Sequence, residues 1–471
     1  MTTTVPTNRP DLDRLAASVP DLRARVTGEV LTPADPEWEN RRLAWNRLID
    51  HEPAVIVQAA DVGDVAVAVR FAAQHGCGLG VQATGHGPVR PVDGVLVDTS
   101  RLTDVMVDPL ERTGWVSAGC TWAPVLAAAQ RHGLAPLLGS SSGVGAVGYT
   151  LGGGLGWLAR RFGAAVDRVR SFEVVTPDGR VVRASADEHS DLFAALRGGG
   201  GGAFGVVTGM EIELVPVSVV YAGNLLYPAE AAEEVMTAWA TWIADVPEEL
   251  SSGVVCMNYP PLPEVPEAVR GRSFTIVRGC FVGDVDTGRR LLDRWRELAP
   301  PMIDLWGELP FTQADEISQD PVDPLPGVVT GGWLRRLDRH GARALADATF
   351  PNDGPPALLL GEVRHIGGAV SRGDRTSTVL GHRDHELLFH TVGVPVAHEP
   401  AAIAARQRDL SDRLGVDAPY LNFLDLEQRR TASAAAVDPA HRTRLGALQR
   451  RLDPTDVLRF GVDHTDAARQ S

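Results

Sequence analysis

Three glycine-rich segments lie in the first half of the sequence, and each could place backbone N–H groups around an anion. They are residues 82–87 (QATGHG), 140–156 (SSSGVGAVGYTLGGGLG) and 197–207 (RGGGGGAFGVV). Glycine permits positive φ and close backbone approach, so successive N–H groups can point at one anion. One such segment is an ordinary turn, but three together favour a fold that wraps a phosphorylated cofactor. No G-x-G-x-x-G lies between the first strand and helix, so the Rossmann fingerprint is absent.

Composition excludes several other chemistries. The 471 residues contain no lysine, so neither a Schiff-base lysine nor a P-loop lysine is available. A formal net charge of −15 argues against a nucleic-acid partner. The four cysteines are scattered, without metal-ligand spacing, so neither a disulfide framework nor a metal site is expected. No signal region and no membrane-spanning segment is evident, and we expect a cytoplasmic protein.

The segments that position these loops alternate between strands and helices. From Ala54, a short apolar strand, the amphipathic helix DVGDVAVAVRFAAQHG and two further strands follow one another. A Pro-Asp-Gly turn joins two later strands (FEVVTPDGRVVRAS), and the helix SDLFAALR precedes the glycines 198–202. Beyond a boundary near Pro216, longer helices alternate with strands such as ALLLGEVRHIGG. These helices could cover one face of an antiparallel sheet.

In this order the segments resemble one family. The stretch VGYTLGGGLGWLARRFGAAVDRV, the segments VVTPDGRVVRAS and DLFAALRGGGGGAFGVVT, and the ending YLNFLD with RTRLGALQRRLDPTDVLR are similar to FAD-linked oxidoreductases of the vanillyl-alcohol-oxidase and p-cresol-methylhydroxylase (PCMH) type, in the berberine-bridge-enzyme-like branch. The resemblance implies an α+β fold, with a two-subdomain FAD-binding (PCMH-type) domain plus a substrate domain whose antiparallel sheet is covered by helices. We expect residues 40–216 to form the FAD domain, 217–435 the substrate domain, and 436–471 a segment that returns to the FAD domain.

The resemblance also implies a covalent flavin. The family attaches FAD through a histidine in a G-G-H-S-like loop, and the matching residue is His86, flanked by Gly85 and Gly87. The alternative is a loop histidine that only forms hydrogen bonds. A second bond, from a cysteine in some members, would fall at Ser141, and serine cannot form the thioether, so a single link is expected. Tyr149 stands where the family often has a histidine at the flavin pyrimidine edge, and its phenol could stabilise the reduced flavin.

A family motif of the form Y-x-N-Y reads YLNF here, from Tyr420. It implies that Asn422 touches the flavin, while Phe423 cannot accept a proton. Tyr420 and Tyr149 are therefore the expected catalytic residues. The remaining expected cofactor-binding residues are Thr84, Gly85, Gly87, Ser140, Ser141, Gly145, Gly148, Gly152, Gly153, Gly154, Gly205 and Val207.

The predicted activity is the removal of a hydride from a C–H bond next to oxygen or nitrogen of a small organic molecule, such as a secondary metabolite or a sugar-like alcohol, onto covalent FAD. Molecular oxygen is the expected electron acceptor. His365 and His390, on substrate-domain strands, are further candidates for the base. Two alternatives stay open: a noncovalent flavin dehydrogenase of the same fold, and a relative that has lost catalysis and binds a metabolite. The substrate cannot be identified, because the family varies most in these strands.

Overall fold

The computed structural model describes residues 12–87, 90–298, 300–431 and 433–465. The strands in this part are β1 Glu29–Leu31, β2 Val55–Gln58, β3 Leu79–Gln82, β4 Val95–Asp98, β5 Val105–Asp108, β6 Thr113–Ser117, β7 Val169–Val175, β8 Val181–Ser185, β9 Val206–Glu213, β10 Val219–Pro228, β11 Leu250–Asn258, β12 Ser273–Phe281, β13 Ile303–Asp304, β14 Gly307–Pro310, β15 Val328–Leu334, β16 Leu360–His365, β17 Leu387–Gly393 and β18 Ala418–Pro419. The helices are α1 Leu12–Arg23, α2 Trp38–Arg42, α3 Val62–Gln74, α4 Trp122–Gln130, α5 Ala146–Leu151, α6 Ala159–Phe162, α7 Ser190–Leu196, α8 Ala232–Trp242, α9 Val285–Leu298, α10 Asp315–Ser318, α11 Arg339–Thr349, α12 Pro400–Leu414, α13 Leu426–Thr431 and α14 Arg442–Leu452. None of the helices in these ranges is long and apolar enough to cross a membrane.

The first sheet carries the loop that contains His86. Its strands run in the order β1–β2–β4–β3, and β4 is parallel to both β2 and β3. Helix α3 begins after Asp61, whose carboxylate accepts the N–H of Asp64, and its Val65 shares an apolar cluster with Val57 of β2. Parallel strands end at the same edge of a sheet, where ligands of such sheets bind. Strand β3 therefore delivers the loop of residues 83–87 to that edge.

The second sheet is antiparallel and connects the other two glycine-rich segments. Its strand order is β5–β6–β9–β7–β8. The turn expected between β7 and β8 is present, because the N–H of Gly179 donates to the carbonyl of Thr176 at 2.7 Å. The chain between β6 and β7 forms α4, α5 and α6 with the glycine-rich stretch, and the chain between β8 and β9 forms α7 and the glycine run. Both glycine-rich segments thus lie in connections between strands of the same sheet.

The third sheet occupies the second half of the chain. Its nine strands are antiparallel in the order β13–β10–β12–β11–β16–β17–β15–β18, and β14 also pairs with β10. Trp239 of α8 and Ile403 of α12 share an apolar cluster with Val363 of β16, so the helices cover one face. Side chains of a strand alternate between its faces, which places Glu362 and Arg364 on the other face. The α+β prediction, with an antiparallel sheet covered by helices, is confirmed.

The C-terminal part of the chain packs on the first two sheets. The N–H of Leu79 donates to the carbonyl of Val457 at 2.6 Å, and Nε2 of His464 is 2.8 Å from the carbonyl oxygen of Gly199. The proposed domain boundaries at residues 40, 216 and 435 stay a prediction. Residues 466–471 of the last segment lie outside the described part of the chain.

Candidate active site

A cavity of about 330 Å³ brings together segments from both halves of the chain. Its walls come from the loop after β3, the stretch around α5, the glycine run before β9, strand β16, residues 420–423 and residues 460–462. The residues expected from the sequence that line it are Thr84, Gly85, His86, Gly87, Ser140, Gly145, Gly148, Tyr149, Gly152, Gly205, Val207, Tyr420 and Asn422. Ser141, Gly153 and Gly154 lie outside this lining.

The His86 loop is held by its backbone and by an aromatic ring. The N–H of Trp45 donates to the carbonyl of Thr84 at 3.1 Å. Gly85 has a φ of +76°, and a Cβ at this position would lie 2.7 Å from Cα of Ala44, so glycine is required. The indole of Trp45 stacks on the imidazole of His86 with ring centroids 4.3 Å apart, and Nδ1 is 2.9 Å from Oγ1 of Thr84. These contacts fix the orientation of the imidazole.

The imidazole of His86 is uncharged at neutral pH. Burial lowers its pKa to about 4. A neutral imidazole keeps a lone pair on one ring nitrogen, so the loop presents a nucleophile to the cavity. Ser141 differs, because its hydroxyl accepts the N–H of Gly143 at 3.2 Å within its own loop.

Tyr149 is packed between glycines of its own segment. A Cβ on Gly139 would lie 2.9 Å from its ring, and a Cβ on Gly154 2.7 Å from it. Trp122 packs edge-on against the same ring with centroids 5.8 Å apart. The hydroxyl is buried without a hydrogen-bond partner among the described residues, and burial raises the pKa of this phenol well above its ordinary value. Glycine at these positions makes room for the tyrosine ring.

Tyr420 and Asn422 tie the third sheet to the glycine-rich stretch. The phenol oxygen of Tyr420 accepts the N–H of Gly154 at 3.0 Å and Nδ2 of Asn422 at 3.3 Å. The same Nδ2 donates to the carbonyl of Tyr149 at 3.0 Å. Burial raises the pKa of Tyr420, although the two donors oppose that shift. A Cβ on Gly152 would overlap Oδ1 of Asn422 at 1.9 Å, so this contact depends on glycine.

Arginines are the main residues of the cavity that sequence reasoning missed. Arg90, Arg364 and Arg429 line it, whereas no aspartate or glutamate among the described residues does. Nε of Arg429 donates to the carbonyl of Leu424 at 3.0 Å, and a Cβ on Gly87 would lie 3.1 Å from its Nη2. Burial lowers the pKa of Arg429 to about 10. The charged side chains in the described lining are therefore guanidiniums.

Arg364 belongs to a buried cluster with Arg278 and Glu362, the Arg–Glu–Arg cluster. Arg278 donates to the carboxylate from Nε at 3.1 Å and Nη2 at 2.7 Å, and Arg364 from Nε at 3.3 Å and Nη2 at 2.9 Å. Gly253 lies between the two arginines in the sheet register, and its missing side chain leaves room for the carboxylate. Burial alone would raise the pKa of Glu362, but the two guanidiniums hold it well below its ordinary value.

The glycine run and the C-terminal residues form the far end of the cavity. Gly200, Gly201 and Gly202 line it together with residues 460–462. A Cβ on Gly461 would lie 1.9 Å from the carbonyl oxygen of Gly202, so the two backbones touch. No pattern in the C-terminal sequence indicates this contact, which joins residues that are more than 250 positions apart.

The two strand histidines have different surroundings. His365 is buried away from the cavity lining, with its Nε2 2.6 Å from Nη1 of Arg160. His390 stacks on the ring of Phe423, with centroids 4.5 Å apart, and its Nε2 is 3.5 Å from Oε2 of Glu362. Burial lowers the pKa of His365 to about 3 and that of His390 to about 4, so both are neutral at pH 7.

Comparison with known proteins agrees with this geometry. Residues 53–185 match the family described as FAD binding domain. The (R)-6-hydroxynicotine oxidase of Paenarthrobacter nicotinovorans is 28% identical over 452 residues, which cover 93% of this chain and 96% of the relative.

Two solved structures share the fold. The BBE-like 1 protein of Physcomitrella patens superposes with a TM-score of 0.80 at 21% identity, covering 93% of this chain and 97% of the other. The glucooligosaccharide oxidase of Acremonium strictum gives a TM-score of 0.79 at 20% identity, covering 95% and 97%.

Proposed function

We propose that this chain is an FAD-linked oxidoreductase of the berberine-bridge-enzyme-like type, which takes a hydride from a C–H bond next to oxygen or nitrogen of a small organic molecule onto FAD bound to His86. The observation that carries the proposal is the cavity. It unites a neutral imidazole, walls of glycine backbone and the phenols of Tyr420 and Tyr149.

The cavity fits a flavin dinucleotide in shape and charge. Glycine segments form much of its lining, so backbone N–H groups are within reach of a diphosphate. Arg90 and Arg429 add positive charge, and among the described residues no lining carboxylate opposes it. The buried hydroxyl of Tyr149, which lacks a partner among the described residues, can donate to a bound ring. These are the residues that would hold FAD.

His86 is the proposed attachment point. It lines the cavity, is neutral, and has its ring fixed by Trp45 and Thr84. The glucooligosaccharide oxidase from Acremonium strictum is described as having a 6-S-cysteinyl, 8α-N1-histidyl FAD, which supports a histidyl link in this fold. Ser141 has no thiol and turns its hydroxyl toward its own loop, so one link is proposed here.

Tyr420 is proposed to hold the substrate at its reacting oxygen or nitrogen. At neutral pH its phenol is protonated, because burial raises its pKa. The N–H of Gly154 and the amide of Asn422 fix the oxygen, so the hydroxyl hydrogen has a defined direction. FAD, once bound, supplies the two-electron acceptor for the hydride. Tyr420 orients the bond to be broken by donating its hydroxyl hydrogen to the substrate heteroatom, and it relays to water the proton that this heteroatom loses.

Molecular oxygen is the proposed final electron acceptor. The support is the name of the relative from Paenarthrobacter nicotinovorans, which is an oxidase. Photoreduced protein mixed with aerated buffer is expected to recover its oxidised spectrum within seconds, without need of a substrate. Recovery over many minutes, but rapid recovery with an artificial electron acceptor, would indicate a dehydrogenase instead.

Acid precipitation tests the covalent link. Wild-type protein is expected to be yellow and to keep its flavin in the pellet. His86→Ala should release any bound flavin to the supernatant, because no second attachment point is proposed. Ser141→Ala is the matched control and should keep flavin in the pellet. Free flavin from the wild type, or pelleted flavin from His86→Ala, would contradict the proposal.

A further inference from the structure

The two guanidiniums of the Arg–Glu–Arg cluster share one buried carboxylate, that of Glu362. The three side chains of the cluster are at most 4% exposed. His390 adds no charge at pH 7. Asp320, the next carboxylate, accepts the hydroxyl of Ser140 at 2.6 Å and interacts with Arg278 and His390. Asp320 thus offsets charge on the Arg278 side, whereas Glu362 is the carboxylate within ion-pair distance of Arg364 in the described part of the chain. An anion beside Arg364 would therefore gain a charge-assisted hydrogen bond.

Arg364 is the member of the cluster that reaches the cavity. Its Nε and Nη2 donate to Glu362, whereas its Nη1 donates to no other residue in the described part of the chain. Its Cζ lies 4.4 Å from the ring centroid of Trp157, which holds the guanidinium plane in place. Arg278 does not line the cavity and donates its Nη1 to the carbonyl of Ser318 at 3.2 Å. The free guanidinium edge is therefore on the cavity side.

The hydroxyl of Tyr420 offers a second donor at the same end of the cavity. Its oxygen accepts two N–H groups, and within the described ranges no residue accepts its hydrogen. Arg364 and Tyr420 line the same cavity and interact electrostatically. Phe423 and Leu155, also in the lining, add apolar surface beside these two donors. One charged and one neutral donor next to apolar groups match an organic anion.

We infer that the substrate carries a carboxylate, which accepts a hydrogen bond from Nη1 of Arg364 while Tyr420 holds the reacting oxygen or nitrogen of the same molecule. The inference rests on the proposed function and names its substrate class, a small organic acid rather than a neutral sugar or an uncharged amine. None of the described lining residues is a carboxylate that could take this position. The anion would pair with the guanidinium edge of Arg364 that Glu362 does not contact.

Ligand titration of the holoenzyme tests the inference without a known substrate. The probes are benzoate and phenylacetate, each paired with its neutral amide, and binding is followed by the change in the flavin spectrum and by calorimetry. We expect each acid to bind about tenfold or more tightly than its amide. Arg364→Met should weaken the binding of each acid far more than the binding of its amide, and so remove this preference. The variant is expected to fold, because Glu362 keeps both hydrogen bonds from Arg278.

Two further variants separate direct contact from a general field effect. Arg364→Lys keeps the charge and should retain part of the preference. Arg278→Met removes the same charge from the same cluster but does not touch the cavity, so it should reduce the preference less than Arg364→Met. Equal losses in both methionine variants would overturn direct contact. Flavin content and thermal unfolding are recorded for each variant to confirm folding.

The remaining outcomes distinguish this inference from the proposed function. Equal binding of acids and amides to flavin-loaded protein overturns the carboxylate site alone. If Arg364→Met changes the flavin reduction potential but keeps the preference for acids, the free guanidinium edge contacts the flavin instead. This outcome also overturns the carboxylate site. Protein that never carries flavin overturns the proposed function, and the carboxylate site with it.

Discussion

The two walls of the cavity bind with different chemical groups, one mostly with backbone and the other with side chains. The cofactor wall (residues 79–87, 139–152 and 200–207) is mostly backbone, and glycines such as Gly152 let it approach neighbouring groups. The substrate wall (Arg364 and residues 420–423) consists of side chains that the third sheet and the segment after it hold in place. Adding side-chain volume to the cofactor wall should therefore prevent flavin binding. Removing single functional groups from the substrate wall should impair the reaction instead.

Added volume on the cofactor wall is expected to have the largest effect. Gly152→Val should give protein without flavin, because its Cβ would overlap Oδ1 of Asn422 and push the two walls apart. The measurement is visible absorbance relative to protein after purification. Gly143→Val is the control, since a Cβ there meets only Oγ of Ser141 at 3.5 Å. Full flavin content in Gly152→Val would show that the cofactor wall tolerates side chains.

Removing one hydroxyl from the substrate wall should leave flavin in place and slow the reaction. Tyr420→Phe is expected to reduce the rate of flavin reduction by a factor of about 10² to 10⁴, the range for losing a proton-transfer group. The measurement is anaerobic stopped-flow with a substrate that reduces the wild type. Tyr149→Phe is the matched comparison, and an equal loss there would mean that both phenols act together. An unchanged rate in Tyr420→Phe would remove it from the mechanism.

The same contrast explains what could be predicted from the sequence. The glycine segments and the His86 loop stand out in composition, so most of the cofactor wall is predictable from residue types and spacing. Arg364 was missed because its exposure to the cavity depends on the register of β11, β16 and β17. The one available signal was a pair of charges at alternate positions of an apolar strand (LLLGEVRH). Trp45 reaches His86, and residues 460–462 reach the cavity, only through long-range packing that no local pattern encodes.

Charge removal in the Arg–Glu–Arg cluster, which holds Arg364 of the substrate wall, should reduce stability. Glu362→Gln leaves two buried guanidiniums without their carboxylate, at an expected loss of about 3–5 kcal/mol in the free energy of unfolding. The measurement is denaturant unfolding at pH 7. Glu249→Gln breaks the exposed pair with Arg161 and should cost no more than about 1 kcal/mol. Similar losses in the two variants would mean that the Arg–Glu–Arg cluster contributes no more than a surface ion pair.

The smallest expected effect is a pH dependence that originates at His390, which stacks on Phe423 of the substrate wall. Burial lowers its folded-state pKa to about 4, whereas its unfolded value is 6.5. Between these values the unfolded chain binds a proton that the folded chain does not, so stability rises with pH there. The full contribution is present above about pH 6.5 and is lost as the pH falls toward 4. At pH 5 the loss is about 2 kcal/mol, at about 1.4 kcal/mol per pH unit.

His390→Asn tests that origin, because asparagine does not titrate. The difference in the free energy of unfolding between pH 7 and pH 5 should be smaller in this variant than in the wild type by about 2 kcal/mol. His340→Asn, at an exposed position on α11, should keep the wild-type difference. Both are measured by denaturant unfolding at the two pH values. If His390→Asn loses as much stability on acidification as the wild type, the acid-sensitive group lies elsewhere. His86 of the cofactor wall, whose pKa is also lowered to about 4, would then be the next candidate for the acid-sensitive group.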